Sequence, residues 1–584
     1  MASVDRKAVA AVLEDIAAML ELKGSNAFKV KAYENGARAI LAFPGDLHAA
    51  VASGELKKVP GIGPSLFSNI ESLVTTGSLP YHEELRAQFP PGLRECLRIP
   101  GVGARKVKQL HDALGIDSIE ALERICLEGK LAGVKGFGAR SAEKILRGIA
   151  MLRATAGLHY YTRARRRADE VLDLLQRTGL AARLQVAGSL RRRKEIVRDL
   201  DFVAASGRPE ELGRAFRDLP WVDEVTADGP TKTSVRFADG MAADLRVVSD
   251  EDFPAALQYF TGSQEHNTQL RARAKKMRMK LNEYGLFRAD SPEERVPAAS
   301  EADLYRALGL DYIEPELREG LGEIEAAEHG ELPRLVSEED LEGVIHVHTT
   351  ESDGRDSLEV MVEAAREVGY SYAAITDHSK TAGYAGGLNE ERVLAQREAI
   401  RALRQRTPGF RIFHGTEADI LADGSIDYGD EFLANFDLVV ASVHSRFGLP
   451  RAEQTARLVK AIRNPRVAVL GHPTGRLLLS REGLDADVEA VIDAAAESGC
   501  ALEINGSPER LDLDWRHCRR AVEKGVLFSI DPDAHATREY SYVSLGVGIA
   551  RKGWVTPQST LNAKTADELE AWLIKRRGGS LPDL

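Results

Sequence analysis

Gly188-Ser189-Leu190-Arg191-Arg192-Arg193-Lys194-Glu195-Ile196-Val197-Arg198-Asp199-Leu200-Asp201 is the stretch on which the reading of this 584-residue chain turns. A Gly-Ser turn runs into four consecutive basic residues, and the segment ends in two aspartates that open an apolar run. Residues two apart on a strand project to the same face, so Asp199 and Asp201 can share a cation. A third carboxylate, Asp244, opens another strand-like run, Asp244-Leu245-Arg246-Val247-Val248. Three carboxylates gathered in one place repel one another unless divalent cations neutralise them. Two hard cations about 3.5–4 Å apart can then clamp the attacking and leaving oxygens of a phosphoryl transfer. Mg2+ suits such a place because it keeps waters and accepts phosphate oxygens, and Mn2+ can replace it.

Around this stretch, residues 156–290 alternate helical and strand-like patterns, with strands expected at 184–188, 200–204, 233–238 and 244–248. From residue 343 onward the rhythm is more regular. Strand-like runs near 343–349, 372–376, 411–416, 438–443, 467–471, 500–504 and 526–530 alternate with helical stretches. That alternation argues for parallel strands in an α/β barrel. His346-Val347-His348 places two imidazoles on one face of the first run, and Asp353 follows in a loop. His378, Glu417, His444, His472, Asp533 and His535 all fall at or just beyond the ends of later strands, where barrel chemistry is placed. Mixed imidazole and carboxylate donors suit Zn2+ or Mn2+. His414 and His517 lie outside this pattern and read as structural.

The first 155 residues read as short helices punctuated by glycine. One pattern recurs three times, at Gly61-Ile62-Gly63, Gly101-Val102-Gly103 and Gly136-Phe137-Gly138, each followed by a helix-period stretch. Glycine permits the tight turn and lets a ligand approach the backbone. The helix that follows offers free N–H groups to a phosphate. The pattern resembles the helix-hairpin-helix motif, which grips the DNA backbone without reading its sequence. The alternative is a set of plain turns in a helical array.

Charge is unevenly placed. Residues 1–290 carry 45 Lys and Arg against 37 Asp and Glu, residues 291–340 carry 4 against 15, and residues 341–584 carry 29 against 37. A basic front supplies attraction to phosphates, and Arg271 to Lys280 concentrates six basic residues in ten. An acidic back is what a carboxylate-rich metal site leaves behind. Cys96, Cys126, Cys500 and Cys518 show no C-x-x-C spacing, which argues against a disulfide framework or a zinc knuckle and for a reducing cytoplasm. No apolar run approaches the ~20 residues of a membrane helix. Met1-Ala2-Ser3-Val4-Asp5-Arg6 leads into an amphipathic helix and does not look like a signal peptide.

The order G-S-x-R-R, D-x-D, D, then Tyr259-Phe260-Thr261-Gly262-Ser263, Asn267 and Arg271, resembles the family X DNA polymerases over roughly residues 1–327. The resemblance implies that Asp199, Asp201 and Asp244 are catalytic metal ligands. Gly188, Ser189 and Arg192 would hold the incoming deoxynucleoside triphosphate, with Tyr259, Phe260, Gly262 and Asn267 facing its sugar and base. Arg271 would touch the template, Tyr33 would help bind a DNA end, and the three glycine pairs would hold the backbone of gapped or nicked DNA. Arg193 and Arg198 stand where some relatives have glycine, and Asn69 stands where some have a Schiff-base lysine.

The C-terminal part resembles the polymerase and histidinol phosphatase (PHP) domain, a distorted seven-stranded barrel with up to three metals. By that resemblance His346, His348, Glu417 and Asp533 hold one Mn2+ or Zn2+. Glu417 bridges to a second with His444 and His472, and Asp353, His378 and His535 hold the third. The implied chemistry is hydrolysis of a phosphoester by metal-activated water, as 3′–5′ exonuclease, abasic-site nuclease or 3′-phosphatase. The expected architecture is multidomain, α+β and α/β. A helical DNA-end-binding region at 1–90 precedes helix-hairpin-helix fingers at 91–155, a nucleotidyltransferase palm at 156–250 and a thumb at 251–327. A linker at 328–340 leads to the barrel at 341–584. The expected function is short-gap filling in DNA repair coupled to 3′-end trimming, by a cytoplasmic monomer with no membrane partner. Two alternatives stay open: a 3′-end-processing phosphoesterase with a weak polymerase, and a DNA-end scaffold with one inactive site.

Overall fold

The computed structural model describes residues 6–43 and 47–582. Residues 1–5, read above as a helix lead-in, lie outside them. The chain forms two compact units, Met1–Ala156 and Gly157–Leu584.

The described residues of the first unit form helices joined by turns, with no strand among them. Leu13, Ile16, Ile40 and Ile70 sit in one apolar core, and Val107, Leu110, Leu122 and Ile149 in a second. Each glycine pair ends a turn, and the second glycine of each is the N-cap of the next helix: Pro64–Thr76, Ala104–Leu114 and Ala139–Ala154. The first glycines have φ of 90°, 78° and 88°, a region that side chains with a Cβ avoid.

The second unit begins with a five-stranded sheet in the order Arg183–Val186, Asp199–Ala205, Ala242–Val248, Lys232–Phe237, Val222–Asp228. The two aspartate-bearing strands are parallel neighbours at its middle, and their register sets Asp201 opposite Asp244. Alternation along Asp199–Ala205 explains why this strand is central. Leu200, Phe202 and Ala204 pack on helices Tyr161–Arg177 and Pro209–Arg217, while Val203 and Ala205 pack on Phe253–Thr261. Helix Gln264–Lys276, a three-stranded antiparallel sheet and helix Glu301–Ala307 follow, around a core of Leu270, Leu286, Tyr305 and Leu308. Residues 328–340, expected as a linker, are packed rather than tethered loosely. Val336 is fully buried in the same apolar cluster as Ala441 and Ile504, and its N–H bonds the Val555 carbonyl at 3.0 Å.

Seven parallel strands then follow in chain order, from Gly343–Val347 to Phe528–Asp531. Their inner and outer faces are both covered, so they read as short apolar runs in the sequence. The ring nearly closes on itself: His348 N–H bonds the Ala534 carbonyl at 2.9 Å, and Ala534 N–H bonds that of His346 at 3.2 Å. Among the described residues no helix is long and apolar enough to cross a membrane.

Candidate active sites

A cavity of about 330 Å³ opens beside the central strands of the sheet. Gly188, Ser189, Arg192, Asp199, Asp201, Tyr259, Phe260, Gly262, Asn267 and Arg271 line it, so a set of residues spread over more than eighty positions converges. Asp244 stands on the adjoining strand, paired with Lys232 at 3.0 Å. Burial, reinforced by Asp199 and Asp244, pushes Asp201 up to about 7, against the pull of Arg192 and Arg246. Burial and Asp244 raise Asp199 as well. Carboxylates this reluctant to ionise side by side fit a place built for divalent cations. Gly188 is dictated by this packing, since a Cβ there would overlap the Asp201 carboxylate. The Asn267 side chain spans inward, accepting from Gln258 at 2.9 Å and donating to the Tyr259 carbonyl at 2.7 Å. It therefore braces Tyr259, and the Tyr259 and Phe260 rings meet edge to face at 5.2 Å. Arg193, where some relatives have glycine, has φ of 57°, the left-handed conformation that glycine adopts freely.

The barrel gathers the nine histidines and carboxylates at its C-terminal mouth. Glu417 is the hub. His378 Nδ1 and His472 Nε2 each lie 2.9 Å from it, His444 Nε2 3.2 Å, His346 Nε2 3.5 Å and His348 Nε2 3.6 Å. Asp533 lies 3.2 Å from His348, and Asp353 lies 3.3 Å from His535 and 3.6 Å from His378. Three donor groups have the compactness of a metal site: His346, His348 and Asp533; His378, Glu417 and His444; and His348, Asp353, His378 and His535. His348 and His378 each fall in two of these groups, whereas the resemblance implied Glu417 as the one shared donor. The donor chemistry fits cations: His346 Nε2 and both ring nitrogens of His348 are buried without a hydrogen-bond partner, which is costly unless a metal takes them. Burial and the imidazoles of His535 and His378 push His348 down to about 3, so it stays neutral and able to donate. Asp533 sits at φ 53°, a strained conformation of the kind that collects at functional sites.

Several residues of this centre escaped the sequence reading. Glu503 accepts from His346 Nδ1 at 2.6 Å and also bonds the His472 backbone N–H. Asp419 bonds His444 Nδ1 at 2.5 Å. Such partners fix the tautomer and aim of a ligating imidazole. Arg510 Nε lies 3.7 Å from Asp533, and Tyr384, 73% exposed, stands 6.3 Å from the rings of His378 and His444. His414 is buried against Phe436 and His517 lies on helix Trp515–Glu523, both away from the cluster.

In the first unit, none of the three helices after the glycine pairs has a side chain capping its N-terminus. A Cβ built at Gly63, Gly101, Gly103, Gly136 or Gly138 meets nothing within 4 Å, so all these turns face open space. Tyr33 differs from expectation: it is 6% exposed, and its hydroxyl accepts from Asn69 at 2.8 Å. Asn69 thus braces Tyr33 in the helical core. In the basic run, Arg273 is committed to Glu328 at 2.7 Å, while Arg271, Lys275, Lys276, Arg278 and Lys280 are exposed.

A DNA-gripping helical front, a carboxylate cavity fit for nucleotidyl transfer and a histidine-rich barrel define a polymerase with a second, hydrolytic metal centre. The comparisons agree in order along the chain. Residues 4–79 match a helix-hairpin-helix domain, 93–150 a SAM-like helix-hairpin-helix tandem, 256–319 the DNA polymerase beta thumb, and 345–507 the PHP domain. The "DNA polymerase/3'-5' exonuclease PolX" of Bacillus subtilis is 37% identical over 570 residues, covering 97% of this chain and 99% of that protein. A "Probable phosphatase" of Caldanaerobacter subterraneus is 30% identical over 245 residues, 40% of this chain and 91% of its own. Another, of Thermoanaerobacter sp., is 26% identical over 251 residues, again 40% of this chain and 96% of its own. The chain belongs to the bacterial family X DNA polymerases that carry a C-terminal PHP domain.

Proposed function

We propose that this enzyme fills short gaps in damaged DNA at the Asp199–Asp201–Asp244 centre and trims 3′ ends at the barrel centre. The observation that carries this reading is the coexistence of two separate donor sets: Asp199 and Asp201 on the wall of a nucleotide-sized cavity with Asp244 on the adjoining strand, and imidazoles with carboxylates at a barrel mouth. In the palm, Ser189 and Arg192 hold the triphosphate of a deoxynucleotide, Tyr259 and Phe260 face its sugar, Asn267 holds Tyr259 in place, and Arg271 reaches the template. Asp199, Asp201 and Asp244 would hold two Mg2+ or Mn2+, and the nine barrel donors up to three Mn2+ or Zn2+. Bound there, such cations supply charge neutralisation at phosphate oxygens and acidify water for hydrolysis. In the barrel, Arg510 offers a cation to the scissile phosphate, and the exposed Tyr384 ring offers the terminal base a stacking face. Glycine-pair turns and the basic run hold gapped or nicked DNA through its backbone. The protein acts as a cytoplasmic monomer.

The test is a gapped, end-labelled substrate assayed for extension and for 3′ degradation with Mg2+ and with Mn2+. Asp201→Ala is expected to lower extension on the order of a thousandfold, the several kcal/mol that metal charge stabilisation is worth, and to spare degradation. His346→Ala is expected to do the reverse and to lose bound metal. Degradation should favour Mn2+ over Mg2+, because imidazole is a poor Mg2+ ligand. Equal loss of both activities in either folded variant would defeat the two-centre reading.

A further inference from the structure

Lys552 is the last residue of the C-terminal domain's helix Val543–Lys552, and it is 1% exposed. Its ammonium group reaches no barrel donor. It points instead into the back of the palm, donating to the Arg192 carbonyl at 3.0 Å, to the Glu316 carbonyl at 3.3 Å and to the Glu319 carboxylate. Glu319 Oε1 in turn accepts from Arg192 Nε at 3.0 Å, and Arg192 Nη1 donates to the Thr261 carbonyl. Two of the three guanidinium nitrogens are thereby committed, which leaves Nη2 for a ligand in the cavity that Arg192 lines. Packing follows the same path: a Cβ at Gly548 would lie 3.3 Å from the Arg193 side chain. The turn that carries Ser189 and Arg192 thus rests on a helix from the other catalytic domain.

We propose that Lys552 is a positioning residue for nucleotide binding in the palm. It fixes the Arg192 main chain directly and the Arg192 guanidinium through Glu319, so that the C-terminal domain forms the rear wall of the triphosphate subsite. This rests on the reading of Arg192 as a triphosphate ligand. The alternative, that the network serves stability alone, is disfavoured on physical grounds. An ion network as buried as this one gains little over an apolar filling of the same volume, which points to orientation as its use. Lys552 satisfies all three of its donors, and two of its three acceptors are main-chain carbonyls, which hold a position more firmly than a side chain would. Glu319 accepts from Arg192 and Lys552 together and lies 3.5 Å from Lys194, so loss of Lys552 removes one of the cations that hold the arginine's anchor in place.

The test uses the full chain on gapped DNA with Mg2+, reading single-nucleotide insertion against nucleotide concentration. Lys552→Met keeps the length of the side chain and removes the charge. We expect KM for the nucleotide to rise roughly tenfold, the loss of one charge-assisted interaction. kcat, gapped-DNA affinity and 3′ degradation should stay near wild type. Glu319→Gln, a milder change, should give the same split, and the double variant should be no worse than the worse single one. Arg192→Ala separates the two claims. If it leaves KM unchanged, the triphosphate reading fails and this proposal with it. If it raises KM while folded Glu319→Gln and Lys552→Met both keep the wild-type KM, the positioning role alone is overturned.

Discussion

Glu503 stands in none of the three compact donor groups, yet it holds two of the nine residues gathered at the barrel mouth. It accepts from the His346 ring and from the His472 backbone, at the centre of the barrel and fully buried. Burial raises its pKa, and the neighbouring His346 opposes that rise. Glu503→Gln keeps the shape and removes the charge. It is expected to weaken metal binding in the barrel by roughly tenfold, the usual loss when an outer partner of a ligating histidine is changed. Titrating 3′ degradation with Mn2+, alongside metal content after dialysis, checks this, and wild-type behaviour would reduce Glu503 to packing. The nine donors were legible because most fall at or just beyond strand ends in a regular α/β rhythm, with His346 and His348 two apart on the first run. Glu503 was not, since it sits inside a strand, Ala501–Asn505, whose apolar neighbours make it read as core. The only signal was an acidic residue at a position with no solvent to face.

Among elements, the strands show why local pattern succeeds and fails. The barrel strands are buried on both faces and so appear as short apolar runs. Val222–Asp228 did not appear, because it is an exposed edge strand, Val-Asp-Glu-Val-Thr-Ala-Asp, whose charges blunt the edge against stray pairing. The glycine turns were legible from their repetition. Helix Ala104–Leu114 offers a clean test of what they do, because Gly103 lies at φ −73°, an ordinary conformation, with open space where a Cβ would be. Gly103→Glu therefore brings neither strain nor clash. A carboxylate at a helix N-terminus favours the helix itself and repels phosphate. Affinity for gapped DNA is expected to fall, by roughly tenfold at low salt, with the thermal midpoint of the protein unchanged or raised. The two signs together distinguish an anion-gripping turn from a plain one, since a plain turn would show no change in affinity.

At the scale of the molecule, the sequence suggested two catalytic halves joined by an acidic tether, and packing joins them more closely. Composition could not reveal this, because the joining residues pair across more than two hundred positions. Arg551 bonds Glu316 at 2.8 Å, and Glu195, 4% exposed, lies between Arg476 at 3.6 Å and Arg516 at 3.4 Å. A chain cut at residue 328 removes every one of those cations and leaves Glu195 and Glu316 without them. It is expected to keep affinity for gapped DNA through the helical front, to melt at a lower temperature, and to need more nucleotide for half-maximal insertion than the full chain. Melting curves and insertion kinetics on both forms decide it. The closure of the barrel adds a temporal aspect. His346 lies on the first strand, Asp533 lies just past the last, and Lys552 comes later still. Chains leave the ribosome N-terminus first and fold domain by domain. A nascent chain stalled before residue 533 therefore presents a finished DNA grip with an unclosed hydrolytic ring and an unsupported nucleotide pocket. It can hold DNA before either catalytic centre has all its parts. Translation thus delivers the grip first and full catalytic competence last.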